Sequence, residues 1–414
     1  MRNRVRTAVF GAAVIFGATA VYAQEPPPLQ TTVETTADPA AQEPDAGSGR
    51  SFFDRLRAKG DEIANETQIV ERLNGDIDGW YPRLGGMTRG GGFALGPGYR
   101  FHVTDDGIFV DLSAGMSLKG YKSADVNVRW LQALDDRFEF WTDFRYEDFP
   151  QEDFFGLGLE STESGRTSYQ FRNKDLSARA LFKPVTWLSV GTKLGYITPE
   201  IGRGTDSRYA SLEEIFTDLD APGLTSQPDF VHTEFFSEVD VRDRRGNPAS
   251  GGFYRASVGL IDDRGRGEFD HQRFDALAAH YVPIAPSRRH IVSGRLGLSY
   301  VNNDPGERVP FYFLPYVGGV DTIRSFQEFR FKEENAIWLG AEYRFVAFNN
   351  VSFVGFLDGG KVAHNWEDIE FNGLKKGYGF GVRVHSNSQN FARLDFGTGG
   401  GEGWQLFLKL GPSF

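Results

Sequence analysis

Apolar and polar residues alternate with a period of two from about Trp80 to the C-terminus. In residues 138–146 one face is almost entirely apolar, whereas the other carries Glu139, Asp143 and Arg145. The same alternation returns in residues 124–130, 188–196, 254–260, 291–300, 337–345 and 378–385. Strict alternation predicts β-strands with one apolar face. The strands run about nine to fifteen residues, longer than is usual in soluble sandwiches and long enough to cross a membrane.

The composition is compatible with a transmembrane β-barrel. The chain has 414 residues, 14% of them aromatic, and its mean hydropathy is -0.38. A barrel can be this polar on average because only alternate residues face lipid. The absence of cysteine excludes disulfides, thiolate metal sites and cysteine catalysis. The net charge of -11 argues against nucleic acid as a partner.

The N-terminal residues predict export from the cytoplasm. Arg2, Arg4 and Arg6 precede a short apolar run that ends at Ala23, which is the pattern of a cleaved secretory signal peptide. The next segment is rich in Pro, Thr, Ala and acidic residues, and the one after it has apolar residues at helical spacing. We therefore predict four parts: a signal peptide (residues 1–23), a disordered linker (24–49), a short amphipathic periplasmic helix (50–77) and an outer-membrane barrel (78–414).

The lengths of the connections predict the topology. Three connections are long, namely residues 147–167, 201–229 and 303–334. Others are tight turns, such as residues 183–184, 286–287 and 349–350. In outer-membrane barrels the long loops are extracellular and the tight turns are periplasmic. Counting strands on this basis predicts an antiparallel barrel of about 16 strands, whose first strand lies in residues 79–87.

The last predicted strand has an apolar face that continues to the final residue. That face comprises Trp404, Leu406, Leu408, Leu410, Pro412 and Phe414. Phe414, as a terminal aromatic residue on an alternating strand, resembles the sorting signal that bacterial barrels present to their assembly machinery. Gly411 and Pro412 predict a weak seam between the first and last strands, because proline lacks an N–H donor and glycine packs poorly.

Three charged residues are spread over a glycine-containing loop and the two strands that follow it. The loop contains Ile323-Arg324-Ser325-Phe326, the next strand contains Glu342, and the strand after that contains Phe356-Leu357-Asp358-Gly359-Gly360. A guanidinium offers five donors in one plane and can bridge two carboxylates. A cation between two anions on the polar face of a barrel would fix the loop inside the lumen. The alternative is that the three residues are ordinary lumen charges with separate partners.

The order and chemistry of these motifs resemble the BamA/TamA outer-membrane assembly superfamily (the bacterial surface antigen family). The family's loop motif Val-Arg-Gly-Phe/Tyr is matched by Ile323, Arg324 and Phe326, with Ser325 in place of glycine. Its strand motif F-x-D-x-G is matched by Phe356, Asp358 and Gly360. The resemblance implies that the arginine pairs with Glu342 and Asp358 inside the lumen. The expected departure from the family is the absence of its polypeptide-transport-associated module, because the roughly fifty residues between the predicted cleavage site and the barrel are too few to form one.

The resemblance implies that the protein assists protein or lipid insertion or translocation at the bacterial outer membrane. Its expected partners are outer-membrane lipid and, by resemblance, client proteins or the barrel assembly machinery. The alternative is a passive channel or surface antigen barrel without assembly activity. No enzyme is predicted, because the seven His residues show no nucleophile–base pattern. No cofactor or metal site is predicted, since the acidic loop residues lack calcium-binding spacing: Glu213, Glu214, Asp218 and Asp220.

Overall fold

The computed structural model describes residues 78–87, 91–104, 107–348, 350–386 and 389–410. The predicted signal peptide, linker and amphipathic helix lie outside these residues, and so do Gly411, Pro412 and Phe414. Within the described residues, no helix has the length and apolar character needed to span a membrane. Antiparallel β-strands make up most of the described chain.

One antiparallel sheet of 16 strands forms the wall of the molecule. Its strands are β1 (Gly79–Gly86), β2 (Phe93–His102), β3 (Ile108–Ser117), β4 (Lys122–Ala133), β5 (Phe138–Phe154), β6 (Thr167–Val185), β7 (Leu188–Arg203), β8 (Phe230–Asp240), β9 (Gly251–Asp263), β10 (His271–Pro283), β11 (His290–Asn302), β14 (Asn335–Phe348), β15 (Val351–Ala363), β16 (Lys375–His385), β17 (Asn390–Thr398) and β18 (Gln405–Leu410). A second, two-stranded sheet pairs β12 (Tyr316–Val317) with β13 (Phe331–Lys332) inside the connection between β11 and β14. The predicted all-β fold with 16 barrel strands is confirmed, and the first strand lies where the sequence placed it.

The sheet curves into a barrel whose two edge strands are neighbours in space, β1 and β18. β1 pairs with β2 along its whole length, from Gly79↔Arg100 to Gly86↔Phe93. The strand order nevertheless begins at β1 and ends at β18, and among the described residues no register of paired residues joins the two. The described part of β18 ends at Leu410. That Gly411 and Pro412 weaken the seam between β1 and β18 therefore stays a prediction.

The two faces of the wall differ as the period-two pattern predicts. Leu296 on β11 and Leu408 on β18 lie on the outer face, where 40% and 65% of their surface is exposed. Arg295, the neighbour of Leu296, lies on the inner face, where its guanidinium is 5.5 Å from the Trp338 ring. An apolar outer face and a polar interior are the arrangement that a barrel in a lipid bilayer requires.

The two ends of the barrel carry different kinds of connection. The loop end carries the long connections 155–166, 204–229 and 303–334, and the second of these contains a short helix α1 (Leu212–Ile215). The turn end, at the opposite side, carries the short connections. The turn predicted at residues 183–184 lies instead at residues 186–187, because β6 continues to Val185, which pairs with Leu188. The predicted start of the first long connection at residue 147 was wrong. β5 and β6 continue to pair as far as Phe154↔Thr167, past an irregularity between Phe149 and Glu152, so the chain is still in the sheet there.

Two hydrophobic clusters give the loop end a core of its own. The first joins the three long connections to strand ends and includes Phe154, Tyr169, Leu212, Phe311 and Leu314. The second includes Val317, Ile323, Phe326, Phe331 and Trp338. Burial of this apolar surface fixes the long connections over the lumen as part of the folded structure.

Candidate functional site

Arg324 lies in the connection between β12 and β13 and is completely buried inside the barrel. Its Nε and Nη2 donate to the two carboxylate oxygens of Asp358 on β15, at 2.7 and 2.8 Å. Its Nη1 donates to Oε2 of Glu342 on β14 at 2.8 Å. The backbone N–H of Arg324 also donates to Asp358, at 3.1 Å. The structure therefore brings together the three charged residues that the sequence singled out. The bidentate pairing of Arg324 with Asp358, together with its bond to Glu342, fixes the orientation of the loop inside the barrel.

The network continues beyond these residues onto β16 and β17. Arg383 donates to Asp395 at 2.6 Å and to Glu342 at 3.3 Å, while Arg393 donates to Asp395 at 2.5 Å. Asp395 is completely buried and lies 3.8 Å from Nη1 of Arg324. Three guanidinium groups thus alternate with three carboxylates across four neighbouring strands. Such a network leaves each buried charge with a partner of opposite sign.

Sequence reasoning missed Arg383, Arg393 and Asp395, although a signal for them was present. Arg383 lies on the polar face of a segment already identified as alternating, and Arg393 and Asp395 flank Leu394 on the next strand. Charged residues on the polar faces of the two strands after the Asp358 motif would have marked them as candidates. What the sequence lacked was the register that brings Arg383 opposite Arg393.

Phe356, the aromatic residue of the strand motif, stacks against the guanidinium of Arg324. The guanidinium carbon of Arg324 lies 3.5 Å from the centre of the Phe356 ring. A cation stacked on an aromatic face gains electrostatic attraction that grows when water is excluded. Burial alone would lower the pKa of Arg324, but its hydrogen bond to Asp358 and the nearby carboxylates raise that pKa above its usual value. The guanidinium is therefore charged at any physiological pH.

The other motif residues seat the loop against the wall. Ile323 and Phe326 are buried in the second hydrophobic cluster, where the rings of Phe326 and Phe331 lie 5.1 Å apart. Gly360 on β15 faces the same place, since a Cβ there would lie 3.0 Å from Ile323. The loop motif is thus held by apolar contacts on both sides of the arginine.

Ser325 takes the family's glycine position without needing a left-handed backbone. Among the described residues it is not one of the non-glycine residues with positive φ. The Ser325 side chain is completely buried and donates to the carbonyl of Lys376 at 3.4 Å. Room for it comes from Gly377 on β16, where an added Cβ would lie 2.0 Å from the Ser325 hydroxyl. Likewise a Cβ on Gly397 of β17 would lie 1.8 Å from the carbonyl oxygen of Arg324.

Three other predicted site residues lie outside the described part of the chain. Gly411 and Pro412 of the predicted seam and Phe414 of the predicted sorting signal lie beyond Leu410, where the description ends. As to metals, the described residues contain no group of three or more His, Cys, Asp or Glu side chains placed to hold an ion.

Comparison with known proteins identifies the family. Residues 100–404 match the model of the Omp85 superfamily domain, which is well over half of the chain. The chain belongs to the Omp85 superfamily. The resemblance to the BamA/TamA group that its motifs indicated is thereby confirmed.

Two solved structures are similar to this Omp85 barrel. BamA from Haemophilus ducreyi lacking POTRA domains 1-3 matches with a TM-score of 0.60 and 14% sequence identity, over 82% of this chain and 71% of that one. CdiB from Acinetobacter baumannii matches with a TM-score of 0.49 and 14% identity, over 76% of this chain and 56% of that one. At such identity the BamA match supports the fold alone, which is typical of bacterial outer-membrane barrels.

Proposed function

We propose that this Omp85 barrel lies in the bacterial outer membrane and assists the insertion or translocation of proteins there. The observation that carries this proposal is the junction of β1 and β18, where the strand order ends without a register of pairs among the described residues. A junction with fewer backbone hydrogen bonds costs less free energy to open than a fully paired one. An opening there would connect the lumen sideways to the bilayer, which is the path that a membrane-bound client needs.

The orientation follows from the connections. Long loops are extracellular and short turns periplasmic in barrels of this kind, so the turn end faces the periplasm. The N-terminal end of β1 and the C-terminal end of β18 both lie at the turn end. A client that arrives from the periplasm would therefore meet the β1/β18 junction directly.

A passive channel receives less support from the same geometry. The loop that bears Arg324 lies inside the lumen, and the two hydrophobic clusters at the loop end cover the opening above it. A wide pore needs an unobstructed lumen. Conductance across planar bilayers separates the two functions, and a stable, large single-channel conductance of the unmodified protein would favour the channel.

The proposed insertion activity can be tested with an engineered disulfide across the junction. The natural sequence has no cysteine, so a pair placed on β1 and β18 has no competing thiols. The barrel is reconstituted in liposomes, an unfolded outer-membrane protein is added, and its protease-protected folded form is measured. We expect oxidation to stop insertion and reduction to restore it.

A control pair at Ala276 and Leu298 links residues that are already partners in the β10–β11 ladder. Oxidation of this control should leave insertion unchanged. Full insertion with the β1/β18 disulfide closed would contradict the proposal.

A further inference from the structure

The connection between β8 and β9, residues 241–250, is the longest of the described connections at the turn end, and its second half is buried. Residues 246–249 are all buried, with Asn247 and Ala249 at 8% and 3% exposure. A surface turn of a barrel is normally exposed, because its backbone polar groups need water. Burial of this turn therefore requires partners elsewhere in the barrel. We call residues 246–249 the turn-end plug.

Backbone groups of the plug pair with the start of β17. Gly246 forms a parallel β-bridge with Gln389. The carbonyl of Gly246 accepts hydrogen bonds from the backbone N–H of Asn390 at 3.2 Å and from its side-chain amide at 2.9 Å. β17 is six positions from β9 in the order of the sheet, so this contact is made over the mouth of the barrel and not with a neighbouring strand.

Side chains on the inner wall hold the next two residues of the plug. Arg344 of β14, itself buried, donates from Nη1 to the side-chain oxygen of Asn247 at 2.8 Å and from Nη2 to the carbonyl of Pro248. The Asn247 amide nitrogen donates to the carbonyl of Ser386 at 2.9 Å. Hydrogen bonds from a buried charged donor are among the stronger ones, and an unpaired Arg344 in this place would carry a desolvation cost.

A serine and a histidine beneath the plug complete its seat. Ser352 Oγ and His385 Nε2 lie 2.6 Å apart, and His385 Nδ1 lies 3.2 Å from the Asn247 amide nitrogen. The spacing is that of a nucleophile and a base, but the Ser352 side chain is completely buried under the plug. Among the described residues, Nδ1 of His385 faces the Asn247 amide nitrogen and the carbonyl of Ser386, and neither is the carboxylate that orients the histidine of a catalytic triad. The pair therefore supports the plug and does not form a hydrolytic site.

The turn is shaped for this position by its own residues. Asp243 Oδ1 accepts the backbone N–H groups of Ala249 at 2.9 Å and Ser250 at 3.0 Å, which folds the turn back on itself. The other oxygen of Asp243 pairs with Arg288 of the adjacent turn at 3.0 Å. These contacts preorganise the turn, so seating the plug requires little further loss of conformational entropy.

We propose that the turn-end plug is a built-in closure of the periplasmic mouth, seated on Arg344, His385 and Asn390, and that its release opens the lumen to the periplasm. The plug is seated on strands β14 to β17, which also carry the Arg324 network. The lumen is thereby closed at both ends by segments of the chain itself. This proposal uses the placement of the turn end in the periplasm and does not depend on insertion activity.

A single reporter cysteine tests the proposal. Ser352→Cys places a thiol beneath the plug in a chain that has no other cysteine, and its S–H can still donate toward His385. A water-soluble maleimide measures the accessibility of this thiol in the reconstituted full-length barrel. We expect slow labelling with the natural turn. Arg344→Met or Asn247→Ala should accelerate labelling about tenfold or more, as the loss of a hydrogen bond with a charged group predicts. Arg289→Ala, which removes an exposed arginine of the adjacent turn, is the matched control and should leave the rate unchanged.

A second measurement tests the proposal even if the Arg344 variant fails to fold. The double variant Gly246→Cys and Gln389→Cys joins the two residues of the β-bridge and should form a disulfide readily on mild oxidation. Failure of this disulfide to form in the folded barrel would overturn the proposal. So would fast labelling of Ser352→Cys with the natural turn, or equal labelling rates in the folded plug variants and the Arg289→Ala control.

Discussion

The wall formed by β14 to β17 and the junction of β1 with β18 lie almost side by side and differ in how they are held. Each strand of the wall is paired with its neighbours, and six charged groups tie the wall to the Arg324 loop. At the junction, no register of pairs is present among the described residues. The contrast indicates that the paired and charged wall lies next to the junction at which opening is proposed. Under that proposal, the wall would keep the rest of the barrel intact while the edge strands separate.

The largest expected effect is the loss of the arginine that ties the wall to its loop. Arg324→Ala leaves Asp358, Asp395 and Glu342 without a cation that now lies within 4 Å of all three. Breaking a buried ion pair by removing one partner costs about 3–5 kcal/mol in free energy of unfolding. Chemical denaturation measures this loss, and proteolysis within residues 318–326 measures release of the loop.

The control for this prediction is Arg266→Ala, because Arg266 and Glu268 form an exposed pair at 3.8 Å. Removing such a pair should change the free energy of unfolding by less than about 1 kcal/mol. Equal losses for the two variants would mean that the lumen network contributes no more than a surface ion pair.

A charge on the outer face should cost less than the loss of Arg324 and test the assignment of the two faces. Leu296→Arg on β11 and Leu408→Arg on β18 each place a cation against lipid, at a cost of about 2–4 kcal/mol near the midplane of the membrane. Ser293→Arg on the inner face of β11 should cost far less. Folding titrations in lipid vesicles provide the comparison, and similar losses on both faces would refute the register.

A smaller effect is expected where the loop and the wall touch most closely. Gly377→Ala would bring a methyl group within 2.0 Å of the Ser325 hydroxyl, and such overpacking costs about 1–3 kcal/mol. Ser325→Gly removes the obstructing side chain, so the double variant should recover most of the loss. A double-mutant cycle in denaturant measures this coupling. Independent, additive effects would show that the two residues do not share the space.

The smallest expected effect is a pH dependence at the loop end. Burial lowers the pKa of Lys332, on β13, to about 8. Between this value and the ordinary lysine pKa, the unfolded chain binds more protons than the folded one, so stability rises with pH. The gain is at most about 1.4 kcal/mol per pH unit for one proton. Thermal unfolding at pH 8.5 and 10 should show it in the natural protein, and Lys332→Met should remove it.

The sequence predicted those parts of the molecule that follow from local pattern. Alternation along each strand gave the two faces, and motif chemistry identified Arg324, Glu342 and Asp358. Contacts set by strand register were not predictable in this way. Asp395 joins the network because β16 places Arg383 between it and Glu342, and no local pattern specifies that arrangement.

The turn-end plug was missed for a related reason. Residues 241–250 contain arginine, asparagine, glycine and proline, a composition typical of a solvated turn. Its partners Arg344 and Asn390 lie about a hundred residues or more further along the chain. Only the closed barrel brings these residues and the turn together at the turn end. Composition alone therefore predicts an exposed turn, whereas residues 246–249 are buried.

The enclosure of Arg324 has a consequence for the order of assembly. The Arg324 side chain is completely buried, and its loop precedes in the chain the strands that supply its partners. We therefore expect the loop to occupy the interior by the time β14 to β17 have come together. A barrel that closed without the loop would leave Asp358 without the guanidinium that pairs with it, whereas Glu342 and Asp395 would keep Arg383 and Arg393. We expect the ion network to favour chains that fold around their own loop over barrels that close without it.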